Sequence, residues 1–106
     1  IAKKLVQMRI CDDAEGVMDL SVQDVAGDVM VVSQFTLHAM TKKGNRPSWI
    51  RAAPGAVSKP LYGQVVGRVE ELLGKNVATG SFGADMQIEL TNDGPVTIWI
   101  DSKNRE

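Results

Sequence analysis

One short segment contains most of the side chains that could attack or activate a substrate. Ser33, Gln34, Thr36 and His38 fall within six positions, and His38 is the only histidine in the chain. A hydroxyl beside an imidazole could act as a nucleophile with its base. In a strand, however, residues two apart share a face, so only Thr36 could meet His38, and no acid is placed to orient the imidazole. We therefore expect His38 to be a surface or rim residue.

Metal and nucleotide chemistry lack the residues that they require. One histidine and one cysteine cannot complete a closed zinc site, and the acids do not follow the spacing of a calcium-binding loop. The segment GSFGAD, residues 80–85, lacks the Lys-Ser/Thr ending of a phosphate-binding loop. The thiolate of Cys11 is disfavoured by the neighbouring carboxylate of Asp12. These patterns predict neither a metal nor a cofactor.

The remaining polar and aromatic candidates leave alternatives open. Gln34 lies in an apolar run, where a buried amide must be hydrogen-bonded. It is either a packing amide that bonds neighbouring backbone or a polar reader at the floor of a pocket. Apolar spacing alone predicts Phe35, Phe82 and Met86 in the core rather than in a pocket.

Length and composition indicate an ordinary globular chain. It has 106 residues, 43% of them hydrophobic, and a formal net charge of -1, which is typical of one domain. No apolar run approaches the roughly 20 residues of a membrane-spanning helix. A single cysteine fits a reducing compartment. We expect one domain over residues 1–106, in the cytoplasm and without a membrane partner.

Charge is distributed unevenly along the chain. All 13 acids lie outside residues 29–69, whereas that span holds six of the 12 basic residues. They are Lys42, Lys43, Arg46, Arg51, Lys59 and Arg68. The span is either a solvated loop or a surface that contacts a phosphate backbone.

The elements that position these residues follow from apolar spacing and from glycine and proline. The apolar run from Asp28 to Leu37 is typical of a central strand buried on both faces. Ser58 is a suitable N-cap, and Gly74 a suitable end, for a helix with an apolar stripe. In chain order the sequence predicts a helix over 2–10, strands over 17–20 and 28–37, a loop over 39–57, a helix over 58–74, a connection over 76–83 and strands over 85–90 and 96–100. This order predicts an α/β domain.

Two motifs together resemble the D-aminoacyl-tRNA deacylase family. They are VVSQFTL, which contains Ser33-Gln34-Phe35-Thr36, and NDGPVT, which contains Gly94-Pro95. The segments GNRPSW, LY and FGADMQIEL between them match the family in order and spacing, so the resemblance covers nearly the whole chain. Each motif alone is weak evidence, but their combination at this separation is specific.

The resemblance implies a homodimeric enzyme with a β/β/α layered fold of sheet and helix. Such an enzyme hydrolyses the ester that joins a D-amino acid, or glycine mischarged on alanine tRNA, to the 3' end of tRNA. In the family the Gly-Pro peptide bond is cis and enters the active site of the partner subunit. Gly94 and Pro95 would then form a wall of backbone that rejects an L side chain.

The same resemblance assigns roles to other residues. Ser33, Gln34, Phe35 and Thr36 belong to the family's catalytic pocket, with Thr36 in an orienting role or, as the alternative, as the nucleophile. The 2'-hydroxyl of the terminal ribose is the participating group, and an enzyme that positions the ester and supplies backbone donors to the developing oxyanion needs no triad. Phe82 and Met86 match positions that enclose the terminal adenosine. The nearby tRNA-contacting cations would be Lys42, Lys43, Arg46 and Arg51.

The chain departs from the family at its start. Family members begin with several strands before the first helix, whereas this sequence opens inside that helix, at Ile1. We therefore expect a single deacylase domain that lacks its N-terminal strands. A fragment that binds tRNA or dimerises without catalysis, or a purely structural fragment, are the alternatives.

Overall fold

Two helices, four short strands and one 3₁₀ helix make up the regular structure of the protein, in a computed structural model that describes residues 1–105. The elements are α1 (Ala2–Gln7), β1 (Cys11–Asp12), β2 (Met18–Leu20), β3 (Met30–Val31), the 3₁₀ helix (Phe35–His38), α2 (Gly55–Leu73) and β4 (Ala78–Thr79). None of the helices in this part of the chain is both long and apolar enough to cross a membrane.

Helix α2 begins earlier than the sequence predicts and ends where it predicts. Pro54 is its N-cap, and the carbonyl of Pro54 accepts hydrogen bonds from the backbone N–H groups of Val57 and Ser58, both at 2.9 Å. Ser58, predicted as the cap, lies inside the helix and its hydroxyl donates to the same carbonyl. At the other end Gly74 adopts the left-handed conformation, with φ 72°, that a glycine takes without steric cost.

The core is small and lies between the two helices. Val6 of α1, Val69 of α2 and Val77 are its buried apolar side chains. The partly buried residues packed around them are Ala2, Leu5, Val29, Val31, Val65, Leu72 and Leu73. The predicted apolar stripe of α2 is therefore confirmed over the second half of the helix, while Leu61 near its start is 58% exposed.

The strands form two separate pairs. β1 and β2 are antiparallel, with Cys11 opposite Leu20, and Asp13 stabilises the turn between them by accepting two backbone N–H groups. β3 and β4 are parallel, with Met30 opposite Ala78, and are joined through helix α2.

Several predicted strands are wrong. The run from Asp28 to Leu37 forms a strand only at Met30–Val31 and then enters the 3₁₀ helix. A strand buried on both faces needs cover on each face, whereas Met30 and Phe35 are each 59% exposed. Conversely, the predicted connection over 76–83 contains β4. The first helix also stops early, because the backbone of Met8 is extended.

Residues 85–100 contain no assigned strand, although both 85–90 and 96–100 were predicted as strands. Within the described residues, no backbone group of this segment pairs with another backbone group. Alternating apolar residues predict a strand face, but a strand also needs a hydrogen-bonded neighbour. Leu90, Ile98 and Trp99 are all more than half exposed.

Candidate active site

The parallel strands β3 and β4 end side by side, and the residues that follow them line one cavity of about 700 Å³. Ser33, Gln34 and Phe35 follow β3, while Phe82 and Met86 follow β4. The carboxyl ends of parallel strands meet at one edge of a sheet, and ligands of α/β proteins commonly bind there. The structure thus brings together five of the residues that the sequence motifs singled out.

Helix α2 and the segment before it form another wall of the cavity. Its contributions are Ala52, Ala53, Gly55, Ser58, Leu61, Tyr62 and Val65. The hydroxyl of Tyr62 donates to the carbonyl of Val31 at 2.7 Å, and its ring lies 5.5 Å from the ring of Phe82. The wall is mostly apolar, which suits a pocket that orients its ligand with few polar groups.

A hydrogen bond joins the two segments that leave the strands. The hydroxyl oxygen of Ser33 accepts the backbone N–H of Gly83 at 3.2 Å. These two residues lie far apart in sequence, so the bond fixes one strand end against the other. Ser33 is half-buried and lines the cavity at this junction.

Gln34 is exposed rather than buried in a strand, so the predicted setting of this amide is wrong. Its Nε2 donates to the hydroxyl oxygen of Thr36 and not to neighbouring backbone. Thr36 does not line the cavity, whereas Gln34 does. The 3₁₀ turn explains the difference, because it rotates the two residues away from the alternation of a strand.

Phe35 faces the cavity rim instead of the core. The prediction of a core position is wrong, since 59% of the residue is exposed. Its ring packs edge-on against Trp49, with centroids 5.6 Å apart, and the Trp49 indole donates to the carbonyl of Thr36 at 3.3 Å. Phe82 and Met86 are partly buried and also line the cavity, so they too stand outside the buried core.

The cavity residues that the sequence does not assign to a site include Tyr62 and Asp85. Tyr62 belongs to the apolar stripe of α2 and to the segment LY that matches the family, but neither pattern assigns it to a pocket. Asp85 adds a carboxylate to the lining, and His38 adds an imidazole. His38 is exposed, in agreement with the predicted rim position.

Gly94 and Pro95 lie outside the cavity and are exposed. Gly94 has φ 54°, in the left-handed region that favours glycine, and open space surrounds the position of a Cβ there. No peptide bond within residues 1–105 is cis, so the bond between these residues is trans here, in contrast to the cis bond that the resemblance implies.

The four predicted tRNA-contacting cations lie on an exposed loop. This basic loop contains Lys42, Lys43, Arg46 and Arg51. A pair of backbone hydrogen bonds between Met40 and Ser48 closes the part that holds Lys42, Lys43 and Arg46, and Arg51 lies just beyond it. In the described part of the chain none of the four cations forms an ion pair, unlike Arg9, Arg68 and Lys75. Their charge is therefore free to attract an anion.

One carboxyl group has a clearly displaced pKa, and it lies away from the cavity. The backbone N–H of Ser21, together with its hydroxyl, holds the pKa of Asp24 below its ordinary value. The hydrogen bonds stabilise the charged carboxylate in the turn that follows β2.

Comparisons with known proteins agree with these motifs. A family model described as "D-Tyr-tRNA(Tyr) deacylase" matches residues 1–101. A protein of Bacteroides fragilis named D-aminoacyl-tRNA deacylase is 58% identical over 106 residues, which cover all of this chain and 71% of the relative. A protein of the same name from Chromobacterium violaceum is 55% identical with the same coverage.

A solved structure has the same fold. It is the c-Myc DNA Unwinding Element Binding Protein, which superposes with a TM-score of 0.86 at 33% sequence identity and covers 95% of this chain and 68% of its own. The predicted α/β class and fold family are confirmed by these findings.

Proposed function

This chain belongs to the D-Tyr-tRNA(Tyr) deacylase family, and from that membership we propose that it hydrolyses D-aminoacyl-tRNA to a free D-amino acid and tRNA. The cavity at the ends of β3 and β4 carries the proposal. It gathers Ser33, Gln34, Phe35, Phe82 and Met86, the residues that the family motifs would place around the aminoacylated 3' end.

The proposed chemistry relies on positioning rather than on a catalytic triad. His38 is the cavity's imidazole, but the hydroxyl of Thr36 lies outside the lining. In our proposal the 2'-hydroxyl of the terminal ribose assists the attack of water on the ester carbon. The bond between that carbon and the ribose oxygen then breaks, and the ribose oxygen takes a proton. The protein holds the ester in the reactive geometry, a contribution that can supply much of the rate.

Chiral selection is assigned to Gly94 and Pro95 of a second subunit. Within one chain these residues stand apart from the cavity, so they can narrow it only from a partner chain. The unpaired backbone of residues 85–100 and its exposed apolar side chains support a homodimer as the working unit. A backbone wall would exclude an L side chain and admit a D side chain or the hydrogen of glycine, including glycine mischarged on alanine tRNA.

The basic loop is proposed to contact the tRNA backbone. Lys42, Lys43, Arg46 and Arg51 are exposed and free of ion pairs among the described residues. Binding of phosphates by such cations releases counterions and is weakened by salt. We expect the protein to work in the cytoplasm, where aminoacyl-tRNA is made and used.

The deciding experiment compares hydrolysis of D-tyrosyl-tRNA and L-tyrosyl-tRNA by the purified protein. Cleavage of the D ester with the L ester intact is the expected result. Equal cleavage of both esters would contradict chiral selection, and cleavage of neither would contradict the enzyme assignment.

A second candidate, a tRNA-binding module without catalysis, is favoured by one observation. The basic loop is complete in one chain, whereas Gly94 and Pro95 lie outside the cavity of that chain. Salt-sensitive tRNA binding without ester cleavage would select this candidate.

A further inference from the structure

We propose that Tyr62 is a positioning residue that fixes the two strand ends of the cavity relative to helix α2. It touches the segment before Ser33 through its hydroxyl and the other strand end through its ring. The effect on activity rests on the proposed deacylase function, whereas the effect on the geometry of the cavity does not.

The hydroxyl of Tyr62 is bound at the point where the two parallel strands meet. The carbonyl of Val31 accepts this hydroxyl at 2.7 Å and also accepts the backbone N–H of Gly80 at 3.3 Å. Val31 precedes Ser33 by two residues, and Gly80 precedes Phe82 by two. One carbonyl thus joins the helix to both strand ends.

The ring of Tyr62 extends this junction toward the cavity. Its centroid lies 5.5 Å from that of Phe82, at an interplanar angle of 55°, and both rings line the cavity. Aromatic pairs at this separation have a preferred orientation. A displacement of Tyr62 would therefore be passed to Phe82.

The backbone around Gly80 leaves little room for such a displacement to be absorbed. A Cβ at Gly80 would lie 2.5 Å from Sδ of Met86 and 3.2 Å from Cγ1 of Val32. Met86 therefore packs directly on the bare backbone of the strand end whose N–H shares the Val31 carbonyl with Tyr62. Cavity residues from both strands depend on one small, closely packed junction.

The helix has a second tether that provides a matched control. The side chain of Gln23 donates to the carbonyl of Leu72 at 2.8 Å, near the C-terminal end of α2. Neither residue lines the cavity. The substitutions Tyr62→Phe and Gln23→Ala each remove one hydrogen bond between a side chain and a backbone carbonyl, but only the first removes a bond beside the cavity.

The kinetic test measures kcat and KM for D-tyrosyl-tRNA hydrolysis by the two variants. Loss of one hydrogen bond that holds the reactive geometry should lower kcat about fivefold in Tyr62→Phe. KM should stay unchanged, since the basic loop is untouched. Gln23→Ala should retain the kcat of the unmodified protein. An unchanged kcat in Tyr62→Phe, or an equal loss in both variants, would overturn the positioning role.

A second test needs no enzyme activity. Phe35 and Phe82 are the only two phenylalanines, so incorporation of fluorophenylalanine gives one ¹⁹F resonance for each, assigned through Phe35→Leu and Phe82→Leu. Tyr62→Phe, which adds one further resonance, should shift that of Phe82, and Gln23→Ala should shift neither. A Phe82 resonance that does not move would overturn the proposal. If the unmodified protein cleaves no ester, the proposed function fails while this measurement still decides the role of Tyr62.

Discussion

The cavity and the Gly94–Pro95 segment are two parts of one proposed site, and they are organised differently. In the cavity, Ser33 accepts a hydrogen bond from the segment that follows β4, and Tyr62 donates one to Val31, the last residue of β3. Around Gly94 and Pro95 the described backbone makes no such bonds, and both residues are exposed.

One chain can therefore fix the geometry of the cavity by itself, whereas the position of Gly94 and Pro95 in the proposed site depends on contact with a second chain. Hydrogen bonds join the cavity walls to one another, so the geometry of the proposed catalytic cavity is set within the chain. The proposed chiral selector has no support of its own and acquires a defined position only against another surface. A substitution in the cavity should therefore impair the site of the chain that carries it, whereas a substitution at Gly94 or Pro95 should impair the site of the partner chain.

The largest effect is expected from Gly94→Val. The substitution places a branched side chain on the proposed selector and at a φ that such residues rarely adopt, so hydrolysis of the D ester should fall about 100-fold. Gly16→Val is the matched control, because Gly16 also has positive φ and open surroundings but lies in the β1–β2 turn. Rates and melting curves of both variants would be compared.

Mixing two defective chains sharpens the same comparison. Consider a heterodimer of one Gly94→Val chain and one chain with a substitution in its cavity. One of its two sites then combines the intact cavity of the first chain with the intact Gly94–Pro95 segment of the second. Mixed and refolded chains should therefore recover part of the activity. Failure to recover any activity would show that selector and cavity act within one chain.

Next in size is Ser33→Ala, which removes the acceptor for the Gly83 N–H and leaves this donor without its partner. We expect kcat/KM for the D ester to fall about tenfold, from the missing hydrogen bond and the misplacement that follows. Ser81→Ala, an exposed serine close to the same strand end, should have little effect. Equal activity of Ser33→Ala and the unmodified protein would contradict a role of the cavity in hydrolysis.

A smaller effect is expected in the basic loop, which belongs to neither region. Replacing Lys42 and Lys43 by alanine should raise KM several-fold and reduce the slope of log binding constant against log salt by about 1 for each phosphate that the loop no longer neutralises. The ratio of D to L cleavage should not change. Lys3→Ala, an exposed lysine on α1, is the control, and an equal change in both proteins would exclude a specific role for the loop.

The smallest effect concerns Asp24, outside both regions. Its pKa is lowered from 3.8 by hydrogen bonds from Ser21, so its stabilising contribution is present above about pH 4 and is lost as pH falls through the folded-state value. Asp24→Asn should melt slightly earlier at pH 7 and lose less stability between pH 5 and pH 3, with cleavage at pH 7 unchanged. If the melting temperatures of Asp24→Asn and of the unmodified protein fell equally between pH 5 and pH 3, this role of Asp24 would be contradicted.

The sequence predicts the end of a helix better than it predicts strands, which need a hydrogen-bonded neighbour from elsewhere in the chain. Gly74 ends α2 as predicted, because a left-handed cap depends on a single residue. The strand over 28–37 was wrong, since its apolar spacing gives no information on how many residues find a partner. Tyr62 was missed as a cavity residue for a related reason: its hydroxyl bond to Val31 depends on packing between distant segments.

The candidate site was predicted from motif combination rather than from spacing. Ser33, Gln34, Phe35, Phe82 and Met86 do meet in one cavity. Spacing alone had assigned the aromatic members of this set to the core, because apolar residues in a pocket and in a core have the same sequence pattern. The roles of the site residues, and a single domain over 1–106, stay predictions.

The parallel pairing of β3 with β4 also has a consequence for folding. Met30 and Ala78 meet only after the long intervening chain, including α2, has closed on itself, and such distant pairings form slowly compared with helices and local hairpins. Helix signals should therefore return early in refolding, and the cavity should be assembled among the last features. Under the proposed function, a newly made chain would be unable to hydrolyse an aminoacyl-tRNA ester until β3 and β4 had paired, and turnover would then be a measure of completed folding.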